Sequence, residues 1–194
     1  MSAAFLGLTG KDWTRDEVES LESAGHLAGC RFELIEGELI DKMGQNPPHA
    51  TLVHILMILL AEVFGLRRVR MQLPAEAARN ERQRSVPEPD VMVTRDDLRT
   101  YATRHPEAAD VLLIAEVADT SLTIDTTVKA RLYARAEYRE YWIVDINARH
   151  LLVFRQPVDG SYTLRTVCRP GDTISPLAAP EASIAVNDLF PPPL

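Results

Sequence analysis

Three charged residues stand where their surroundings are apolar or where a strand begins. Glu116 lies near the end of the run Val111 to Val117, VLLIAEV, which is otherwise apolar throughout. A carboxylate in such a run is costly unless it is paired or bound to a cation. Asp90 follows Pro89 at the start of the preceding strand-like segment, EPDVMV. If the two strands are neighbours and carry Asp90 and Glu116 at matching ends, two carboxylates converge at one edge of a sheet. A hard divalent cation with oxygen ligands, Mg²⁺ or Mn²⁺, relieves their repulsion. Lys129 comes next, four residues after Asp125. Its ammonium can fold back over the strand end to hold a water or to offset charge on a phosphate. Each residue also has a structural reading. Glu116 can lie just past the core and be solvated. Asp90 can hydrogen-bond a turn, and Asp125 with Lys129 can form a surface i, i+4 pair.

The elements that must position these groups are legible in the pattern. Thr14-x-x-Glu17 is a capping box that predicts a helix over Arg15 to Ser23, stopped by Gly25. Phe32 to Asp41, FELIEGELID, reads as a hairpin around Glu36-Gly37. Pro47-Pro48 opens a helix whose apolar positions, Leu52 to Phe64, recur at helical spacing until Gly65. That helix is apolar around most of its circumference, which predicts burial in the core or at a homodimer contact. Arg68 to Leu73 alternates, with Val69, Met71 and Leu73 on one face and Arg68, Arg70 and Gln72 on the other.

Ala77 to Glu88 is a polar loop, Pro89 to Thr94 a strand, and Asp96 to Thr103 a short helix or loop. Val111 to Val117 and Glu140 to Ile146 are strands covered on both faces, joined through a helix over Thr123 to Ala136. His150 to Arg155, Ser161 to Val167 and Ala182 to Val186 form a β extension. The order predicts an α/β fold, a mixed sheet flanked by helices.

The segments EPDVMV, LIAEVADTSLTIDTTVKARLYA and EYWIVDI, in this order and spacing, resemble the PD-(D/E)XK nuclease superfamily. They are more closely similar to the bacterial Uma-two family of endonucleases, as is FELIEGELI followed by Pro47-Pro48-His49. The resemblance covers roughly Phe32 to Phe190. It implies a restriction-endonuclease-like fold, with an N-terminal hairpin and a C-terminal β extension. It further implies a Mg²⁺- or Mn²⁺-dependent cleavage of DNA. Asp90 matches the motif aspartate and Glu116 the second acid. The superfamily's usual lysine, two residues after that acid, falls at Ala118. In the Uma-two pattern it comes from the following helix, where Lys129 stands. The implied metal ligands are Asp90, Glu116 and the carbonyl of Val117. Lys129 orients the attacking water, and Glu38 serves a second metal or its water. Glu33 and His49 match the N-terminal signature as accessory residues, and Asp125 joins them beside Lys129. Where the family usually has Gly and then Pro before its Glu-Tyr-Trp strand, this chain reads Glu137-Tyr138-Arg139.

The formal net charge is −7, which argues against a protein that coats nucleic acid by bulk charge. A local track remains: Arg67, Arg68, Arg70, Arg79, Arg82 and Arg84 crowd one segment, where a DNA backbone is expected to lie. Glu76, Glu81 and Glu88 in the same stretch offer the other reading, a neutralised solvated face. No uninterrupted apolar run approaches the ~18 residues of a membrane span, and Ile55 to Ala61 is the longest candidate. Cys30 and Cys168 match no metal spacing, so a reduced, cytoplasmic protein is expected. The length predicts one domain over 1–194, with 1–30 as a helical extension and 187–194 as a tail. Two functions remain open: a metal-dependent endonuclease acting as a homodimer on DNA, or a catalytically inactive dimeric interaction or DNA-binding module of the same fold.

Overall fold

A computed structural model describes residues 10–42 and 46–192. Residues 1–9 of the expected extension and 193–194 of the expected tail lie outside the described residues. The elements are α1 (Arg15–Ser23), β1 (Phe32–Ile35), β2 (Glu38–Asp41), α2 (Pro47–Phe64), β3 (Val69–Met71), β4 (Val91–Thr94) and β5 (Val111–Ala118). There follow α3 (Leu122–Ile124), a π-helical turn (Asp125–Lys129), α4 (Ala130–Arg135), β6 (Glu140–Asp145), β7 (His150–Val158), β8 (Ser161–Cys168), β9 (Thr173–Ile174) and β10 (Ile184–Ala185).

Strands β3 to β8 form a six-stranded sheet in sequence order, and only β5 and β6 pair in parallel. Parallel neighbours need a crossover, because a tight turn cannot return the chain to the same end. The crossover here is α3, the π turn and α4, and it carries Lys129 above the end of β5. The alternation read in the sequence sorts the side chains. Val91, Val93, Leu113, Ala115 and Val117 join Leu52, Val53, Leu56 and Leu60 of α2 in one core. Met92, Ile114, Ala118, Tyr141 and Ile143 join Tyr133 of α4 on the other face.

Local chemistry explains the boundaries. Thr14 accepts from the Glu17 N–H while Glu17 accepts from the Thr14 N–H, closing the capping box of α1. Asn46 caps α2 by accepting the His49 N–H at 2.9 Å, so the helix starts at Pro47. The hairpin β1–β2 is a separate two-stranded sheet, with Trp13 and Val18 packed on its Leu34 and Leu39. The expected last strand shortens to β10 and pairs with β9 outside the main sheet.

The helix expected over Thr123 to Ala136 is not uniform, because the π turn interrupts it. It ends at Glu137, whose φ is 67°. The Glu137 N–H reaches the Ala134 carbonyl and the Tyr138 N–H reaches that of Tyr133, which makes a Schellman cap. A glycine adopts that left-handed conformation without cost. Here Glu137 holds it instead.

The 18 residues of α2 have a mean hydropathy of 1.5, enough by length and composition alone for a membrane span, a test that core helices of folded domains also pass. Its inner side, Leu52, Val53, Leu56 and Leu60, packs on the sheet. Ile58 on its outer side is 45% exposed.

Candidate active site

Val91 pairs with Ala115 in the antiparallel register of β4 and β5, so Asp90 lies beside Glu116 one step further along. The two strand ends are tied together. The Asp90 N–H donates to Glu116 Oε2 at 3.3 Å, and the Val117 N–H donates to Asp90 Oδ2 at 2.9 Å. Both side chains are buried. His49, in the first turn of α2, brings Nε2 to 3.2 Å from Asp90 Oδ2. Gln72 donates its amide to Asp90 Oδ1 at 3.2 Å. Burial by itself would raise the Asp90 pKa. The hydrogen bond and charge of His49, with the Val117 N–H, outweigh it and hold the carboxyl down at about 2. Asp90 is therefore ionised and only accepts, which makes Nε2 of His49 the donor. Burial opposes charge on His49 as well, but the bond to Asp90 raises its pKa above the usual value.

Lys129 sits in an acidic cage. Its Nζ lies 2.7 Å from Glu33 Oε1, 2.8 Å from Glu116 Oε1 and 3.8 Å from Asp125 Oδ1. Burial alone would strip its proton, but these carboxylates prevail and keep the ammonium charged. One cation does not neutralise this many acids. Burial, and then repulsion from Asp90, Asp125 and Glu33, pushes Glu116 up to about 8 against the attraction of Lys129. Asp125 is raised to about 6, again chiefly by burial, although Ser121 donates to it at 2.6 Å. Asp125 and Lys129 are four residues apart and so share one face of the helical segment, which here is a π turn. Wider turns of this kind are frequent at functional sites, and here both side chains are buried over the end of β5.

A cleft of about 420 Å³ opens on these groups. Glu33, His49, Asp90, Glu116, Val117, Asp125 and Lys129 all line it, so seven residues singled out in the sequence converge. Glu38 does not. It occupies the turn end of β2 opposite Ile35, exposed and away from the cleft, and Asp41 at the other end of the strand lines the cleft instead. The expected arginine track is not gathered there either. Arg67 pairs with Asp97, Arg82 with Glu76 and Glu107, and Arg84 with Asp12. Arg70 stacks on Tyr101, while Arg68 and Arg79 are exposed on the surface. None of the six lines the cleft. Three of the six, Arg67, Arg82 and Arg84, are thus paired with acids, and Arg68, Arg70 and Arg79 have no ion pair among the described residues.

Three contributors escaped the sequence reading. Tyr133 donates its hydroxyl to Glu116 Oε1 at 2.8 Å. Its position four residues after Lys129 was the available signal. Asn46 lines the cleft and donates to Asp119 at 2.6 Å, and its N-cap position was visible. Gln72 follows the last residue of β3, and the strand register sets it beside Asp90. Among the described residues, no group of three or more His, Cys, Asp and Glu side chains is arranged to hold a metal ion.

The Uma2 family, described as "Putative restriction endonuclease", matches residues 15–187. No curated protein matches. The fold is similar to the crystal structure of a putative nuclease belonging to DUF820 from Anabaena variabilis ATCC 29413. The likeness has a TM-score of 0.62 at 18% identity, over 82% of this chain and 89% of that one. The match to the family spans most of the sequence, including every element that builds the cleft, and the chain belongs to the Uma2 family.

Proposed function

We propose that this protein is a Mg²⁺- or Mn²⁺-dependent endonuclease that hydrolyses DNA phosphodiester bonds. The observation that carries this reading is the meeting of Asp90 and Glu116 at adjacent strand ends, with Lys129 bonded to Glu116. The donor set suits a hard cation that keeps several waters rather than one caged by protein. A carboxylate offers about four acceptor positions. Among the described residues, Asp90 Oδ1 and Glu116 Oε2 each accept a single hydrogen bond, which leaves each oxygen room for a further partner. Those two oxygens and the Val117 carbonyl would hold the cation. When bound, the metal supplies positive charge against the scissile phosphate and lowers the pKa of a water.

The chain's own residues do the rest. His49, Gln72 and the Val117 N–H fix Asp90 in one orientation. Lys129 donates to Glu116 Oε1 at 2.8 Å and is ion-paired with Glu33 Oε1 at 2.7 Å. An ammonium has three donors, so Lys129 can also orient a water toward the phosphate. The proposal includes a homodimer through the outer side of α2, which would present two sites to the two strands of a duplex.

The test is Mn²⁺ binding by calorimetry alongside plasmid nicking. The parent should bind Mn²⁺ and nick, and Asp90→Ala should lose both. Lys129→Met should keep most of the metal affinity and lose at least ~100-fold in cleavage rate, the scale of one transition-state charge partner. A parent that neither binds Mn²⁺ nor nicks points instead to an inactive interaction module. A single monomer species in sedimentation at high concentration would remove the dimer.

A further inference from the structure

The cleft's cations divide into those already neutralised and one that is not. Lys129 is held by Glu33 and Glu116, His49 by Asp90, and Lys42 by the Glu88 carbonyl at 2.6 Å and its carboxylate at 3.5 Å. Arg31 also lines the cleft, is exposed, and has no carboxylate at ion-pair distance among the described residues. Its contact is with an amide: Nη2 donates to Gln72 Oε1 at 3.1 Å. The other end of that amide donates to Asp90 Oδ1. The orientation of the amide follows from its partners, since a guanidinium only donates and an ionised carboxylate only accepts.

Gln72 is itself held in an unusual way. Its φ is 50°, in the left-handed region, and its N–H bonds the carbonyls of Pro89 at 3.1 Å and Asp90 at 3.2 Å. A non-glycine residue stays in that conformation only when its surroundings impose it. Here the backbone of the Asp90 segment does so, and the side chain is thereby aimed between Asp90 and Arg31.

We propose that Arg31 is the phosphate-binding arm of this cleft, and that Gln72 is a positioning residue holding its guanidinium at a set distance from Asp90. This deepens the nuclease reading and rests on it. The chemistry recognised is a phosphodiester of a polynucleotide backbone. A cleft that Glu33, Asp41, Asp90, Asp119 and Asp125 make acidic repels such an anion unless a cation receives it. Arg31 keeps most of its five donors in a planar fork, which matches phosphate oxygens two at a time.

The experiment measures binding of a fluorescein-labelled DNA duplex to the full chain by anisotropy, in Ca²⁺ and across a salt series. Plasmid nicking in Mn²⁺ is run on the same preparations. Arg31→Ala should weaken binding about tenfold and reduce the salt slope by about one, the signature of a lost phosphate contact. Arg31→Lys should keep the slope and recover part of the affinity, because it restores charge without the fork. Gln72→Asn tolerates the left-handed backbone but is too short to span Asp90 and Arg31. It should keep the salt slope and lose affinity severalfold. Arg84→Ala, whose guanidinium faces Asp12, should bind as the parent does.

If the parent nicks while Arg31→Ala matches it in affinity and slope, the arm is wrong and the nuclease reading stands. If duplex binding depends on Arg31 but the parent never nicks, the arm stands and the nuclease reading falls. If the parent neither binds the duplex nor nicks, both are overturned.

Discussion

Two buried glutamates on the neighbouring central strands β5 and β6 have opposite fates. Glu140 is fully enclosed, and its donors match its acceptors. Arg155, directly across on β7, donates Nε at 2.8 Å to Oε1, Trp142 donates Nε1 at 3.0 Å, and the Leu177 N–H donates to Oε2 at 2.7 Å. Its charge meets one guanidinium, and it does not line the cleft on which Glu116 opens. Glu116 instead shares one lysine with Glu33 and Asp125, lies beside Asp90 and borders open space. A buried carboxylate matched with donors serves as a fastening. One crowded with other acids at the edge of a cleft holds a raised pKa, the mark of a candidate functional site.

The largest difference between the two should appear in stability. Glu140→Ala leaves the Arg155 charge partly buried without its carboxylate, and removing one partner of such a pair costs about 3–5 kcal/mol. Urea unfolding should show that loss, while Mn²⁺ affinity per folded molecule stays at the parental value. A loss confined to metal affinity would erase the contrast.

The next effect lies in pH. The folded pKa of Glu116, about 8, is above its unfolded value. Its proton therefore contributes stability that is fully present below the ordinary carboxylate range and is lost as pH rises through about 8. Glu116→Gln is isosteric with the protonated acid and cannot ionise. Metal-free melting curves should show the parent losing stability between pH 7 and 9 relative to Glu116→Gln. Parallel curves would mean that Glu116 ionises as an ordinary carboxylate in the cage.

The smallest effect belongs to the arginine-rich face. The Arg84–Asp12 pair joins two exposed side chains at 2.6 Å. Pairs of this kind contribute about 0.2–1 kcal/mol and are screened by salt. Arg84→Ala should shift the urea midpoint slightly, and less at high salt. A loss as large as that of Glu140→Ala would show that this face acts as a fastening too.

Much of this was legible residue by residue. Glu116 stood out because a charge in an apolar strand is anomalous without any knowledge of neighbours, while Asp90 gained weight only as a possible partner at the start of the preceding strand and by resemblance. Lys129 was singled out by its place after Asp125 and by resemblance, whereas the π turn itself left no mark in the pattern. Glu38 and the arginines misled, since residue type and local density say nothing about which end of a hairpin faces a cleft or which distant acids reach a guanidinium. Gln72 and Arg31 lie in separate segments and show no local signal at all.

The sequence by itself determined the six strands of the main sheet, the capping box of α1 and the alternation that sorts two apolar faces. These depend on periods of two and 3.6 residues and on short-range hydrogen bonds, which a linear pattern contains in full. The tertiary structure alone decided which charges share a cage, which are neutralised, and that one arginine in the cleft keeps its donors. Those outcomes turn on distances of about 3 Å between residues far apart in the chain, and electrostatic interaction and desolvation change steeply over that range.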